Sequence, residues 1–472
     1  MTLTNLSFLE IGQDWIPASE KCRIAMYELN HNLYCNEHSA VLDTMLNVIY
    51  PDKADNENVK RVFINLYRAT SKLWGDLLFS ENPRIEGLEG ENKSFIDEII
   101  KNNKLWKQSL KVAIDVSRYG NGVYKVRRNE QGNAVIEPIS PRIWYPVVSQ
   151  DNINEVQAHV LAYVFTLNKV SYLKTETHTK GQIEHKLFIL SQENHKIKQQ
   201  IDLNSLEEFA NLKPVEDTGI DDFLVVPVEN SMDSESVFGE DDYTDINPII
   251  AEIECQLTKY GQDLKEQGNL KYAPVTAFDE NGNIKRNGVI PMMGGANTSP
   301  TPGAVTWSVA HEAIKAYIDQ LMFFFYVCSE TSPAIFSPDV SIGNLSGTAI
   351  KRLMQRLLLK AGRLAENFDE SLTRVLTIAS KLEGKDITGF NIKFNDGLQT
   401  DMNEKAQIAS TSISAGVMSK KTGISLVQEL EGEALDAELM QIESEKKEES
   451  ATALDNLFPS DVNNDATNNN PA

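Results

Sequence analysis

A helical pattern longer than a compact domain needs constrains this chain most. From Gly347 the sequence continues TAIKRLMQRLLLKAGRLAENFDESLTRVLTIASKL. In it Ile350, Leu353, Met354, Leu357, Leu358, Ala361, Leu364, Ala365, Phe368, Leu372, Val375 and Leu376 recur at three and four. Ser346 is placed to cap it, its hydroxyl accepting from an amide one turn in. Roughly 35 residues at 1.5 Å each predict a rod of about 50 Å. A breaker segment, SETSPAIFSPDVSIGNLSG, precedes the rod, and HEAIKAYIDQLMFFFYV, solidly apolar over 321–327, precedes the breaker. A rod of that length calls for neighbours to brace it, which points to an assembly.

Length leaves room for two to four domains. A net charge of −23 argues against bulk attraction to nucleic acid or an anionic membrane. Cys22, Cys35, Cys255 and Cys328 form no CxxC pair, so the expectation is reduced thiols with neither a disulfide framework nor a zinc knuckle. The N-terminus lacks the basic and apolar regions of a signal peptide. The best membrane candidate, 321–328, is far short of the roughly 20 residues of a span. The expectation is a cytoplasmic product.

Residues 1–60 read as loosely packed helix, with Ala40, Val41, Leu42, Met45, Leu46 and Ile49 on one apolar face. RVFINLYRATSKLWGDLLFS (61–80) reads as an amphipathic helix ended by Asn82-Pro83, and 95–119 as two more helices. Gly120 and Gly122 allow a tight turn into a hairpin, VYKVRRNEQGNAVIEPIS, that reverses at Gln131-Gly132-Asn133. Strand patterns follow at 144–148, 158–167 and 185–190. Residues 1–225 thus predict an α+β domain, helices first and an antiparallel sheet after.

The acidic run DSESVFGEDDYTD (233–245) reads as a solvated linker. Asp245 or Asn247 is placed to cap a helix over 249–267, with Pro248 in its first turn. Residues 270–310 carry two short strand candidates, a small β-rich insertion between two helices. GFNIKFND (389–396) reads as a lone strand that must join a sheet formed elsewhere. Residues 401–446 resume amphipathic helices, punctuated by Gly416 and Gly423. The charge-rich and then Asn-rich tail reads as disordered.

Catalytic templates fail one by one. Gly120-Asn121-Gly122 lacks the third glycine of a dinucleotide loop, and Gly343–Thr348 lacks the GK[ST] end of a phosphate loop. The stretch from Asp279 resembles a calcium loop, but Ile284 and Ile290 stand where glycine and a bidentate Glu are needed. No HExxH and no GxSxG occurs, so no enzyme, cofactor or metal is expected. Lys351, Arg352, Arg356, Lys360 and Arg363 leave two readings open. They form either a solvated face or a set of positive points aimed at a polyanion or at acids such as Glu252 and Glu254. Phe323, Phe324, Phe325 and Tyr326 read as packing residues rather than a base-stacking platform.

Taken in order, these features resemble the portal proteins of tailed bacteriophages, especially those of siphoviruses of Gram-positive hosts. The likeness rests on the Trp-containing block ending at Asn82-Pro83, then YGNGVYKV, and on helix, β insertion and helix over 249–328. It rests further on SGTAI (346–350) opening a long helix that ends near Asn367-Phe368. The last matching stretches are FNDGLQTDMNEKAQ, SAGVMSKKTGI and LEGEALDAELMQIESEKKEE. The match covers about 300 residues, with 144–240 poorly matched.

The resemblance implies an α+β portal fold assembled as a ring, typically of twelve, at one capsid vertex. Double-stranded DNA would pass through its channel without sequence preference. It implies a wing (1–243), a stem helix (244–269), a clip (270–310), a second stem helix (311–332) and a tunnel loop (333–346). After these come the long helix with a returning wing strand (347–400), a helical crown (401–446) and the tail (447–472). Tunnel-loop, DNA-facing residues would be Phe336, Ser337, Pro338, Asp339, Val340, Ser341, Ile342, Gly343, Asn344, Lys351 and Arg352. Clip residues meeting partners would be Asp279, Asn281, Lys285, Arg286, Met292 and Met293. The implied partners are other copies of the chain, terminase, a head–tail adaptor, and the major capsid and scaffolding proteins, with no membrane and no cofactor. The implied location is the virion, after assembly in host cytoplasm. Two alternatives differ in class: a cytosolic helical scaffold with no DNA role, and a metal-dependent nuclease using acids near 233–245.

Overall fold

Helix α1 (Lys21–Cys35) opens the chain in a computed structural model that describes residues 3–37, 61–231, 234–267, 271–274, 289–292, 303–304, 310–336, 352–395, 402–428, 430 and 432–457. The expected apolar face at 40–49 lies outside the described residues. Helix α2 (Leu66–Phe79) starts later than its pattern suggests, because Asn65 caps it by accepting from Arg68 N at 2.8 Å. The preceding backbone is spent elsewhere, with Ile64 N donating to Glu254 and Val62 N to Thr258. Strand β1 (Arg84–Glu86) leads to α3 (Gly90–Asn103) and α4 (Leu105–Tyr119).

The hairpin forms as expected, with β2 (Asn121–Arg128) antiparallel to β3 (Ala134–Ile139) and Gly132 at φ +88° in the turn. Strands β4 (Trp144–Val148), β5 (Val156–Leu167), β6 (Val170–Thr179), β7 (Gln182–Leu190) and β8 (Ile197–Ile201) make an antiparallel meander. Short β9 (Val215–Asp217) also joins β7. Strand β6, unforeseen, follows β5 through a two-residue turn in which Asn168 and Lys169 both have positive φ. Strand β10 (Val225–Glu229) pairs with the free side of β2, giving a second sheet in the order β10-β2-β3.

Helix α5 (Asn247–Gln267) begins two residues early, with Asn247 inside it. Its Oδ1 accepts from the Tyr67 hydroxyl at 2.7 Å. Between α5 and α6 (Ala310–Cys328) lie β11 (Lys271–Pro274), β12 (Val289–Met292) and β13 (Gly303–Ala304), paired in the order β12-β11-β13. The β-rich character of 270–310 is therefore present among the described residues. Short α7 (Pro333–Phe336) follows. The long helix, α8, runs Gln355–Leu382 after a turn at Met354 that carries no side-chain cap. Its 28 residues give a rod of about 42 Å rather than about 50. The cap expected of Ser346 lies outside the described residues. The helix also continues past Asn367-Phe368, because Ser371, Leu372, Val375, Leu376, Ile378 and Ala379 extend the buried stripe without a breaker.

The core sits where α8 crosses the β10-β2-β3 sheet together with α2, α3 and α4. Three side chains of α8 also serve backbone groups of neighbouring strands. Asn367 donates to the carbonyls of Glu229 and Asn230, and Ser371 donates to that of Pro227. That protects the outer edge of β10, where Pro227 has no N–H to offer. Asp369 accepts from Ile392 N at 2.5 Å, fixing β14 (Asn391–Lys393) antiparallel to β1. The lone strand thus finds its sheet.

A separate unit, 398–472, contains α9 (Met402–Ser414), α10 (Lys420–Gln428) and α11 (Gly432–Leu457). Gly423 lets α10 approach α9, since an added Cβ would stand 2.6 Å from Ile413 Cδ1. Helix α11 extends ten residues past Lys447, where the tail was expected to lose structure. Its Glu, Lys and Ala residues are strong helix formers despite their charge.

Candidate functional site

Lys360 lies on the buried stripe of α8, between Leu357 and Leu364, with 7% of its surface exposed. An ammonium there needs a partner, because an unpaired buried charge costs several kcal/mol. Asp242 supplies it. Its Oδ1 accepts from Lys360 Nζ at 2.7 Å and from Asn230 Nδ2 at 2.8 Å, and its Oδ2 accepts from the Ser117 hydroxyl at 2.6 Å. Lys360 Nζ also stands 4.7 Å above the Trp74 ring. The chain of hydroxyls continues from Ser117 to Ser71 at 2.9 Å and from Ser71 to Tyr243 at 2.7 Å. Tyr243 OH donates to the Tyr67 carbonyl, and burial drives its phenol well above the ordinary value.

This arrangement corrects the reading of 233–245 as a solvated linker. Val237, Asp242 and Tyr243 are buried, and Phe238 receives the Arg23 guanidinium at 4.5 Å. Backbone contact fixes the docking: Asn230 N donates to Gly120 O, and Glu240 N to Ser231 O. Gly120 and Gly239 meet so closely that a Cβ on Gly120 would stand 2.0 Å from Gly239 O. Gly120 also sits at φ +77°, so it is required twice over. Asp241 turns back on its own segment, accepting from the amides of Tyr243 and Thr244, and burial raises its carboxyl.

Two further segments converge here. The turn after α6 places Glu330 at φ +56°, with its carboxylate 2.7 Å from Arg363 and 3.8 Å from Lys360. Ser332 donates to Leu353 O, joining the turn to the chain just ahead of α8. A cavity of about 180 Å³ opens between them, lined by the ion pair, Glu240, Asp245, Cys328 and Arg363. Among the described residues no group of His, Cys, Asp and Glu is arranged to hold a metal. The geometry is that of a clamp. It fixes the C-terminal end of α6 and the first turns of α8 to the sheets.

A family model for phage portal proteins of the SPP1 Gp6-like type matches residues 13–452. The chain belongs to this portal family. A solved chain from the neck of an empty GTA particle, computed with C6 symmetry, is also similar. It is 9% identical, with a TM-score of 0.43, over 77% of this chain and 90% of that one. Curated sequences provide no match. The portal family is structural rather than enzymatic, and among the described residues 50% helix and 21% strand fit an α+β portal fold.

Portal residues singled out in the sequence fall in different places. Phe336 ends α7, its ring stacked on Tyr326 and edge-on to Phe325. Arg352 is exposed ahead of α8, and Met292 ends β12. Ser337, Pro338, Asp339, Val340, Ser341, Ile342, Gly343, Asn344 and Lys351 lie outside the described residues. So do Asp279, Asn281, Lys285, Arg286 and Met293. Of the basic series, Lys360 is not on a solvated face but buried against an acid, Asp242, while Arg363 pairs with Glu330. For Lys360 and Arg363 the acids are thus Asp242 and Glu330 rather than Glu252 or Glu254. Glu252 accepts from Gln256 and Tyr317, and Glu254 accepts from Ile64 N, with burial lifting its carboxyl to about 7. The aromatic run splits: Phe325 is fully buried, whereas Phe323 and Phe324 are exposed. Lys360 was singled out for its charge, but its burial and the other clamp residues, Asp242, Asn230 and Ser117, escaped sequence reasoning. The one available signal was a lysine on an apolar stripe.

Proposed function

We propose that this chain is the subunit of a phage portal ring, most simply a dodecamer, set at one vertex of the capsid. Double-stranded DNA passes through its axial channel during packaging and ejection. The family match over residues 13–452 carries this reading. In it, residues 1–243 with β14 form the wing, α5 and α6 the stem, 270–310 the clip, 336–344 with Lys351 and Arg352 the DNA-facing tunnel loop, and 401–446 the crown. The clip is the docking platform for terminase and then for the head–tail adaptor, and the wing and crown face the capsid and scaffolding proteins.

Electrostatics supports the reading. Duplex DNA carries about one charge per 1.7 Å, and each phosphate that a Lys or Arg neutralises adds grip. A conduit works better without grip, and a net charge of −23 on every copy favours sliding. The exposed Phe323 and Phe324 of α6 give neighbouring copies apolar surface to cover. Electron microscopy of the purified protein tests this: rings with an axial opening wide enough for duplex are expected. A stable monomer, or an assembly closed on its axis, overturns it. Replacing Asp339 or Lys351 is expected to impair packaging with ring assembly intact.

A further inference from the structure

Where the six-stranded sheet meets β10-β2-β3, a small apolar cluster of Val123, Trp144, Leu161 and Val225 sits beside a layer of buried polar groups. Pairing sets His159 of β5 opposite His178 of β6, and Glu176 of β6 opposite His185 of β7. All four side chains therefore share one face. Lys125 reaches over from β2, its Nζ 2.5 Å from Glu176 Oε2, and Lys174 holds Oε1 at 2.5 Å. The layer is dry. His178, His159 and His185 are 0%, 2% and 7% exposed, and Glu176 is 5% exposed.

Proton capacity is what this layer lacks. His159 Nδ1 accepts from Trp144 Nε1 at 3.1 Å, and Phe223 packs edge-on against its ring. His178 Nε2 lies 3.5 Å from Glu176, while its Nδ1 has no partner among the described residues. Neither ring nitrogen of His185 makes a hydrogen bond there, and the nearest carboxylate, the half-exposed Glu216 of β9, is 3.8 Å away. Glu176 is already shared by two ammonium groups. The remaining charges that face the layer are Arg374 of α8, felt by His159 but itself paired with Asp222 at 2.8 Å, and the rim pair of Arg127 on β2 with Glu137 on β3. At the buried centre two ammonium groups thus already face one carboxylate before any imidazole is protonated.

We propose that this layer is an acid-sensitive seam, at which protonation of His159, His178 and His185 separates the six-stranded sheet from β10-β2-β3 while the apolar core around α8 stays folded. Burial, the largest influence on each, holds all three imidazoles below the ordinary value, His159 down to about 3. The unfolded chain therefore binds more protons than the folded one below the ordinary histidine value. The stability owed to the neutral rings is fully present above about 6.5 and falls as the pH drops from there toward the folded values.

Hydrogen exchange on the full chain, assembled as purified, tests the seam at about pH 7.5 and about pH 5 after correction for intrinsic rates. Protection in β5, β6 and β7 is expected to fall at least tenfold more than in α4 and α8. An equal fall everywhere, or none, overturns the proposal. His159→Gln and His185→Gln, made separately, are each expected to move sheet opening to lower pH, and an unchanged opening pH in both overturns it. A variant that fails to fold at neutral pH drops out, and the wild-type comparison still decides.

Discussion

The two halves of α8 are one helix held by two kinds of force. In the second half, Phe368, Leu372, Val375, Leu376, Ile378 and Ala379 are all fully buried. In the first half, Leu357, Lys360 and Leu364 alone are buried, Leu359 is 59% exposed, and Arg356 and Arg363 face outward. Apolar burial is non-directional and tolerates small adjustments of the backbone. The Asp242–Lys360 clamp is directional, with every oxygen of Asp242 assigned to a donor. The lesson is that the far half of the helix belongs to the core, whereas the near half is positioned by a few polar contacts. It therefore responds sharply to their loss.

The largest effect should come from the core half. Phe368→Ala removes a ring edge-on to Phe79 and Phe368's place in the main cluster, and should cost about 3–5 kcal/mol in urea unfolding. Lys360→Met should cost about 3 kcal/mol, the low end for a broken buried pair, because Asn230 and Ser117 still serve Asp242. Limited proteolysis should then show cleavage within 234–245 before the core opens. If Lys360→Met is silent in both assays, the contrast between the halves disappears. Arg363→Ala, on the half-exposed pair with Glu330, should cost less than about 1 kcal/mol. Leu359→Ala should fall within about 0.5 kcal/mol for the isolated chain.

A pH dependence of opposite sign to the histidine seam sharpens the comparison further. Burial raises Glu254 to about 7, so its protonated form is favoured in the folded chain. The stability it contributes is present in full below the ordinary carboxyl value and is lost as the pH rises through about 7. Glu254→Gln should flatten that part of the profile, read as the urea midpoint between about pH 5 and about pH 8.

Much of the fold was legible from periodicity. Apolar spacing gave the existence of α2, α4, α5, α6 and α8, and the Gly132 turn gave the β2–β3 hairpin, because these signals lie within a few residues of one another. Boundaries were less legible: α2 begins at Leu66 because Ile64 and Val62 bond to α5, a contact across about 190 positions. The charged end of α11 read as disorder because composition reports solvation and not whether helix formers stand in register. The acidic run 234–245 misled most. Its composition is that of a solvated loop, yet Gly239 seats it on Gly120 and Asp242 finds the one lysine buried on α8.

By itself, the sequence determined the order of the main helices and the β2–β3 hairpin, the portal family, the length scale of α8 and the absence of familiar catalytic templates, since each depends on local pattern or on order along the chain. Only the tertiary structure decided which charges are buried. Asp242 and Lys360 stand 118 residues apart, and His159, His178 and His185 come from three strands. Whether such a group meets water or a partner depends on what folding brings beside it, and spacing along the chain carries no record of that.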